Sequence, residues 1–429
     1  MKFLLEEGMY MNSVENVLKI LKNGELEKAF SHINQIKKSE SDEDILLLAE
    51  EITQLGFIEQ GKDLFEFLLQ KYPDEGEILL SLAEILTEMD KEDEAMLLLE
   101  QIDPEDDIYP SALLLEADLY QMQGMDEVSE RKLHQAKQAL PDEILIDFAL
   151  GELYYQQGKF VESIASFEKV LPVMEEVGGI DISQRMAEAL SSSGQFEAAL
   201  PYFDKALENK LEINTLFEYG LTAYQAGYYE TAVAKLSELK ELDPEYHSLY
   251  LFLARSYEQL EELELSLKSV MEGIKADEFN KELYFFGGKI ALKTGREQEA
   301  EDMFREALAL DPGYLEAALT LMKLLVHQER HEDVVECIES IRSYGEDDPQ
   351  FDWLLAVSYQ GLEDYSEALN HYQKAYNSFE TNQDFLNDYG YFLVEEGDRA
   401  GAREVFSKLL SENPANEEYI MMLERLEAE

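Results

Sequence analysis

The sequence predicts an all-α solenoid of about twelve stacked helix pairs with a C-terminal capping helix. Three phased patterns predict it. The first is one residue per unit, almost always small: Ala29, Gly61, Ala95, Ser129, Ser163, Ala199, Ala232, Ser266, Ala300, Val334, Ala368 and Ala402. The steps are 34 residues from Gly61 to Ser163 and again from Ala232 to Ala402. The second lies 12 residues earlier: Ala49, Ala83, Ala117, Gly151, Ala187, Gly220, Ala254, Gly288, Met322, Ala356 and Gly390. Two helices whose backbones approach closely need small side chains at the contact, so two phased small residues mark a packed pair. The third is a large apolar residue four places after the first series: Ile33, Phe65, Leu99, Leu133, Phe167, Phe203, Leu236, Val270, Phe304, Ile338, Tyr372 and Phe406. A further apolar position follows three places on, and steps of three and four put them all on one helical face.

Punctuation sets the ends of each pair. Pro73, Pro141, Pro244, Pro312 and Pro414 each fall 12 residues after a small position and stop the second helix. Gly24, Gly56, Gly124, Gly158, Gly194, Gly227, Gly295 and Gly397 fall in the turn inside the pair, where a left-handed backbone is required. Two irregularities interrupt the pattern. The step from Ser163 to Ala199 is 36, and its connection holds Pro172 and Gly178-Gly179. Either a hinge or a merely longer loop fits it. The tenth unit carries Met322 and Val334 where small residues stand elsewhere, so its helices are expected to stand further apart or to pack off-register.

These observations divide the chain into a leader at 1–10, N-terminal repeats at 11–171, an irregular connection and candidate hinge at 172–182, C-terminal repeats at 183–416 and a capping helix at 417–429. In the cap, Ile420, Leu423 and Leu426 are expected to point inward, with Glu417, Glu418, Glu424 and Glu427 in water. Glu6-Glu7-Gly8 just before Met11 reads as the translation of a purine-rich ribosome-binding stretch, which makes Met11 the expected start.

Composition narrows the function. Of 429 residues, 93 are Asp or Glu and 35 Lys or Arg, a formal net charge of -58. Such a surface repels nucleic acid and anionic lipid, so neither is an expected partner. Basic partners, or partners held by apolar contacts, suit it better. No apolar run reaches the length of a membrane span, and the single cysteine, Cys337, permits no internal disulfide. A cytoplasmic location is the expectation that follows.

No catalytic constellation emerges, and no cofactor or metal is expected. His327 and His331 are four residues apart but lack the glutamate that a zinc-protease motif places directly after the first histidine, and they straddle an expected turn. Cys337 precedes the core position Ile338 and has no partner histidine implied, so it reads as a packing thiol. Gly178-Gly179 and Gly287-Gly288 lack the strand-then-helix setting of a phosphate loop.

The segments FALGELYYQQGKFVES (148–163), FEYGLTAYQAGYYETA (217–232) and EQEAEDMFREALALDP (297–312) resemble tetratricopeptide repeats, and the resemblance runs from about Asn12 to Pro414. It implies a right-handed superhelix whose first helices line a concave groove. It also implies a non-catalytic scaffold or adaptor that holds cytoplasmic proteins or peptides there; the alternatives are a sensor that changes shape on binding a peptide and, third, an enzyme with an unrecognised site. Long repeat proteins of Gram-positive bacteria are similar. In such a groove the residue after the first-helix small position forms a ladder: Glu50, Glu84, Asp118, Glu152, Glu188, Leu221, Arg255, Lys289, Lys323, Val357 and Tyr391. Five acids give way to three bases, against the composition of the chain. A second ladder, four residues earlier, reads Leu46, Leu80, Leu114, Phe148, Gln184, Phe217, Leu251, Phe285, Leu319, Trp353 and Asn387. It serves equally as the apolar floor of a groove or as partly buried packing. A carboxylate clamp of Lys and Asn, used by some relatives for chaperone tails, is not expected, because apolar residues stand where its lysine would be.

Overall fold

The computed structural model describes residues 13–39 and 41–428; the leader expected at 1–10 lies outside them. Among the described residues twenty-five helices follow one another, with one short hairpin between them. The pairs in the first half are α1 (Ser13–Lys22) with α2 (Leu26–Ser39), α3 (Asp42–Gln54) with α4 (Ile58–Leu69), and α5 (Gly76–Glu88) with α6 (Glu92–Leu99). Next come α7 (Tyr109–Met122) with α8 (Asp126–Ala139), α9 (Ile144–Gln156) with α10 (Phe160–Val170), and α11 (Ile182–Ser192) with α12 (Phe196–Asn209). The second half pairs α13 (Ile213–Gln225) with α14 (Tyr229–Leu242), α15 (Leu249–Gln259) with α16 (Leu263–Ala276), and α17 (Lys281–Lys293) with α18 (Glu297–Leu310). It continues with α19 (Leu315–His327) and α20 (His331–Ser343), α21 (Pro349–Gly361) and α22 (Tyr365–Phe379), and α23 (Gln383–Glu396) and α24 (Arg399–Glu412), before α25 (Glu417–Ala428). The chain separates into two compact units, Met1–Lys210 and Leu211–Glu429, one repeat later than the connection at which the sequence suggested a division.

The phased residues form the core. The small residues of both series and the large apolar residues four places on are all buried. The fit within a pair is tight where the first-helix residue is glycine. A Cβ on Gly151 would stand 2.6 Å from Phe167, one on Gly220 2.6 Å from Leu236, and one on Gly288 2.5 Å from Phe304. Where the second-helix residue is serine, it can also close a hydrogen bond across the pair. Ser163 Oγ donates to the Gly151 carbonyl at 2.9 Å, and Ser266 Oγ to that of Ala254 at 2.7 Å. That spacing is the 12-residue offset between the two small series.

All twelve turns within the pairs pass through a left-handed residue. Eight are the expected glycines. The other four are acids at the equivalent place: Asp90 (φ 57), Glu261 (φ 60), Glu329 (φ 59) and Glu363 (φ 63). The turn geometry imposes the conformation on residues that do not favour it.

The 36-residue step is an ordered hairpin. Strands β1 (Glu176–Val177) and β2 (Ile180–Asp181) pair antiparallel, Glu176 opposite Asp181 and Val177 opposite Ile180. Gly178 and Gly179 make the turn at φ +58 and +85, both positive as a tight two-residue hairpin requires. Asp181 then caps α11 by accepting from the Gln184 backbone N–H at 2.9 Å.

The tenth pair departs as its residues suggested. Met322 and Val334 are both fully buried, and the backbones of α19 and α20 approach over a shorter stretch than those of α17 and α18 or α21 and α22. A cavity of about 380 Å³ opens there, lined by Arg305, Leu308, Leu321, Cys337 and Ile341 among others. In α25 the inward face is Tyr419, Met422, Leu423 and Leu426, and Ile420 is exposed at 37%. The expected register is thus corrected by one residue at its start: the Tyr419 ring lies tilted 5.9 Å from the Phe406 ring and takes the place assigned to Ile420. The four acids of the cap face water.

Candidate protein-binding face

In the N-terminal unit the acidic ladder lies on the first helices, one rung per pair. Glu50 and Glu84 are brought together on one cavity of about 230 Å³, with Glu88, Thr53 and Phe65 also in its wall. Neither has an ion pair among the described residues, and the same holds for Asp118 on α7. Glu84 and Asp118 reach water, yet surrounding protein withdraws part of their hydration. Burial pushes the Glu50 carboxyl above its ordinary range, with repulsion from Glu77 and Glu51 adding to it. Burial likewise raises Glu84, beside Glu88, and Asp118. A carboxylate desolvated without a cation is destabilised in its charged form.

The next two rungs differ. Glu152 lies 2.9 Å from Arg185 Nε, without hydrogen-bond geometry, and Arg185 Nη1 donates to Glu188 at 2.8 Å. Gln184 Nε2 donates to the other Glu188 oxygen at 2.8 Å, and Glu188 is only 9% exposed. Burial still raises Glu152 against the pull of Arg185. Arg185, which also lies over the Tyr155 ring at 5.8 Å, was not among the residues singled out from the sequence. It sits two places before Ala187, off the ladder; it stands three residues before Glu188 on the same helix, and only the fold carries it to Glu152.

In the C-terminal unit the ladder holds Arg255 on α15, Lys289 on α17 and Lys323 on α19. Arg255 is half-buried, and Lys289 and Lys323 are exposed. None has a carboxylate partner among the described residues, although Lys281, Lys293, Arg296, Arg305 and Arg330 of the same unit all do. Aromatic rings accompany the first two instead. The Arg255 guanidinium is 5.9 Å from Phe252 and 5.8 Å from Phe286, and Lys289 Nζ is 5.4 Å from Phe285. Phe252 and Phe286 occupy the Arg185 place of their repeats, so the signal was a row two residues before the small one.

The second ladder is half-buried throughout except Leu80, which is buried. Its aromatics pack within and between repeats. Phe148 lies 6.3 Å from Phe167. Phe217 meets Tyr246, and Phe285 meets Tyr314, both at 5.1 Å from the following inter-repeat loop. Trp353 sits between Phe379 and Phe385 and donates its indole N–H to Asp388 at 2.9 Å. These half-buried rings brace the stack.

No group of three His, Cys, Asp or Glu side chains among the described residues could hold a metal. Burial raises the Cys337 thiol. Among the described residues no helix is long and apolar enough to cross a membrane.

Helix pairs phased at 34 residues, each closed by a small-to-large contact, define a helical-repeat protein of the tetratricopeptide class. Residues 349–416 match YpiA-like C-terminal tetratricopeptide repeats and residues 121–173 match YpiA-like tetratricopeptide repeats. Further tetratricopeptide-repeat descriptions match 56–124, 291–357, 185–247 and 251–314. The TPR repeat-containing protein YpiA of Bacillus subtilis (strain 168) is 43% identical over 416 residues, 97% of this chain and 98% of that protein. The chain belongs to the YpiA-like tetratricopeptide-repeat family. Among solved structures, the APC/C hetero-tetramer Cut9-Hcn1 aligns over 96% of this chain and 95% of that one, at 12% identity and TM-score 0.37. A tetratricopeptide repeat protein from Parabacteroides merdae aligns over 58% and 98%, at 17% identity and TM-score 0.39.

Proposed function

We propose that this protein is a non-catalytic, cytoplasmic scaffold or adaptor that holds other proteins on the face lined by its first helices. One observation carries the reading. Glu50, Glu84 and Asp118 in one unit, and Arg255, Lys289 and Lys323 in the other, are repeat-phased charges with no ion pair among the described residues. The three acids are also partly desolvated. Other cations of the C-terminal unit, among them Lys281, Lys293, Arg296, Arg305 and Arg330, pair with its own acids. Charges left unpaired and aligned are available to an outside chain, and pairing relieves the cost of holding them. The aromatic edges of Phe148, Phe217, Phe285 and Trp353 supply apolar contact beside them.

Site-specific photo-crosslinking in the native cytosol tests this. Crosslinkers replace Glu84, Asp118 or Lys289 on the first-helix face, and Leu97 or Val161 on second helices, which are 62% and 69% exposed. A shared protein partner captured from the first three positions and not from the last two supports the reading. Capture from the second-helix positions alone, or equally from both sets, contradicts it.

A further inference from the structure

The cavity of about 380 Å³ in the C-terminal unit lies between two second helices, α18 and α20, with the buried Leu321 of α19 as its floor. No residue of either ladder lines it. Its origin can be read in the repeat. Six residues after the small position of the second helix, every other unit carries Gln, Glu, Lys or Phe, among them Glu306 and Lys374 on either side; here stands Ser340. Three residues after that position, Cys337 replaces the larger Met303 and His371 of the flanking units. On the facing helix Ala309 stands where the preceding unit has Lys275. All three short side chains line the cavity.

The space has a size and a charge. An apolar cavity of about 150 Å³ already accepts a benzene ring, so this one has room for a phenylalanine side chain. Leu308, Leu321 and Ile341 give it apolar wall, and Tyr344, 66% exposed, sets an aromatic ring at its rim. Of the charged residues around it, Arg305 is paired with Glu301 and Asp333 with Arg330. Glu336 is exposed and has no ion pair among the described residues. The two helices that form the walls are both acidic: α18 holds five acids and one arginine, α20 four acids and one arginine. An acidic guest is repelled there, and so is a second copy of a chain with net charge -58. A basic guest is attracted.

We propose that this cavity receives one large apolar side chain from a basic segment of a partner protein, with a Lys or Arg beside that side chain meeting Glu336. This surface is separate from the first-helix face and does not rest on it. Filling the cavity adds apolar contact to α20, so the guest also holds the tenth pair closed.

Cys337, the sole thiol, reports occupancy in the full chain. Its alkylation by N-ethylmaleimide is timed with an excess of each of three peptides. The first is Gly-Ser-Lys-Lys-Phe-Lys-Lys-Ser-Gly, the second has Ala for Phe, and the third has Glu for each Lys. The first is expected to slow alkylation at least threefold at a concentration where the other two leave it unchanged. Ser340→Gln, which restores the length found in other units, should abolish the slowing, and Ala309→Gln repeats that test from the α18 wall. Glu336→Gln should weaken the slowing severalfold. Each variant is compared with its own rate without peptide, and helicity by circular dichroism should be unchanged. Equal slowing by the alanine peptide would reduce the effect to charge alone. Equal slowing by the glutamate peptide would remove the role of Glu336, and no slowing by any peptide would deny the guest. Each of these overturns the proposal. So does phenethylamine acting as well as the first peptide, which would make the cavity a small-molecule site. Self-association of the full chain that Ser340→Gln abolishes would assign the cavity to a second copy and overturn it too.

Discussion

Phe304 lies so close to Gly288 that a Cβ on the glycine would stand 2.5 Å from the ring edge. The two residues belong to α17 and α18, 16 positions apart, and the same relationship joins Gly151 to Phe167 and Gly390 to Phe406. It is the contact on which each pair closes, and it ties the sequence period directly to packing. Gly288→Ala is expected to cost about 1–3 kcal/mol by forcing the helices apart. Gly390→Ala should cost less, because its Cβ would meet Phe406 at 3.1 Å. Urea unfolding of the two variants checks the order. Equal or negligible losses would show that the pairs close elsewhere.

The four acids in left-handed turns are predicted to be local strain. Replacing Glu261 or Glu329 by glycine should stabilise the chain by about 1 kcal/mol each, since a non-glycine residue pays roughly that for the conformation. Gly158→Ala, at φ +72, should destabilise by a similar amount. Denaturation midpoints of the three single variants decide the matter.

Protonation should relieve the acidic ladder. Burial raises Asp118 and Glu84 above their unfolded values. The folded state therefore holds their protons more tightly. Their charged forms weaken folding above the folded pKa, and the penalty disappears as pH falls through it. Asp118→Asn should accordingly raise Tm at pH 7 and leave it unchanged near pH 3. The paired carboxyl of Glu301, held low chiefly by its hydrogen bonds with Arg330, has the opposite sign. Its contribution is present at pH 7 and lost on acidification, so Glu301→Gln should lower Tm at pH 7. Thermal scans of both variants at the two pH values separate the two groups.

The tenth pair should open first. Met322 and Val334 fill the small positions, and the cavity of about 380 Å³ beside Cys337 leaves the second helix less supported. Amide exchange at 315–345 is expected to be faster than at 281–310 and 349–379. Cys337, the sole thiol, gives an independent readout, and its modification should track that local opening instead of global unfolding. Uniform protection across 281–379 would contradict this.

The helix pairs were legible because packing demands recur in phase: small residues, their large partners and the stop prolines need only a ruler. The four acidic turns were not, since tertiary geometry overrides the preference of Asp90, Glu261, Glu329 and Glu363. The 36-residue step was visible as an interruption, while the strand pairing of Val177 with Ile180 was not, because two-residue strands have no pattern to detect. Charge sign along the ladder could be read directly. Its pairing could be read only in part: Arg185 stands three residues before Glu188 on one helix but reaches Glu152 only in the fold, and the absence of carboxylate partners around Arg255, Lys289 and Lys323 among the described residues is a property of three-dimensional neighbours. The start of the inward face of α25 shifted by one residue because Tyr419, not Ile420, met Phe406.

Carbodiimide footprinting of carboxylates, read by mass spectrometry on the free chain and on its complex with a partner identified by crosslinking, tests the central claim most directly. The account predicts that labelling of Glu50, Glu84 and Asp118 falls in the complex, while labelling of the outward acids Glu417, Glu424 and Glu427 stays the same. Unchanged labelling of the three ladder acids, with protection confined to acids on the second helices, would contradict it.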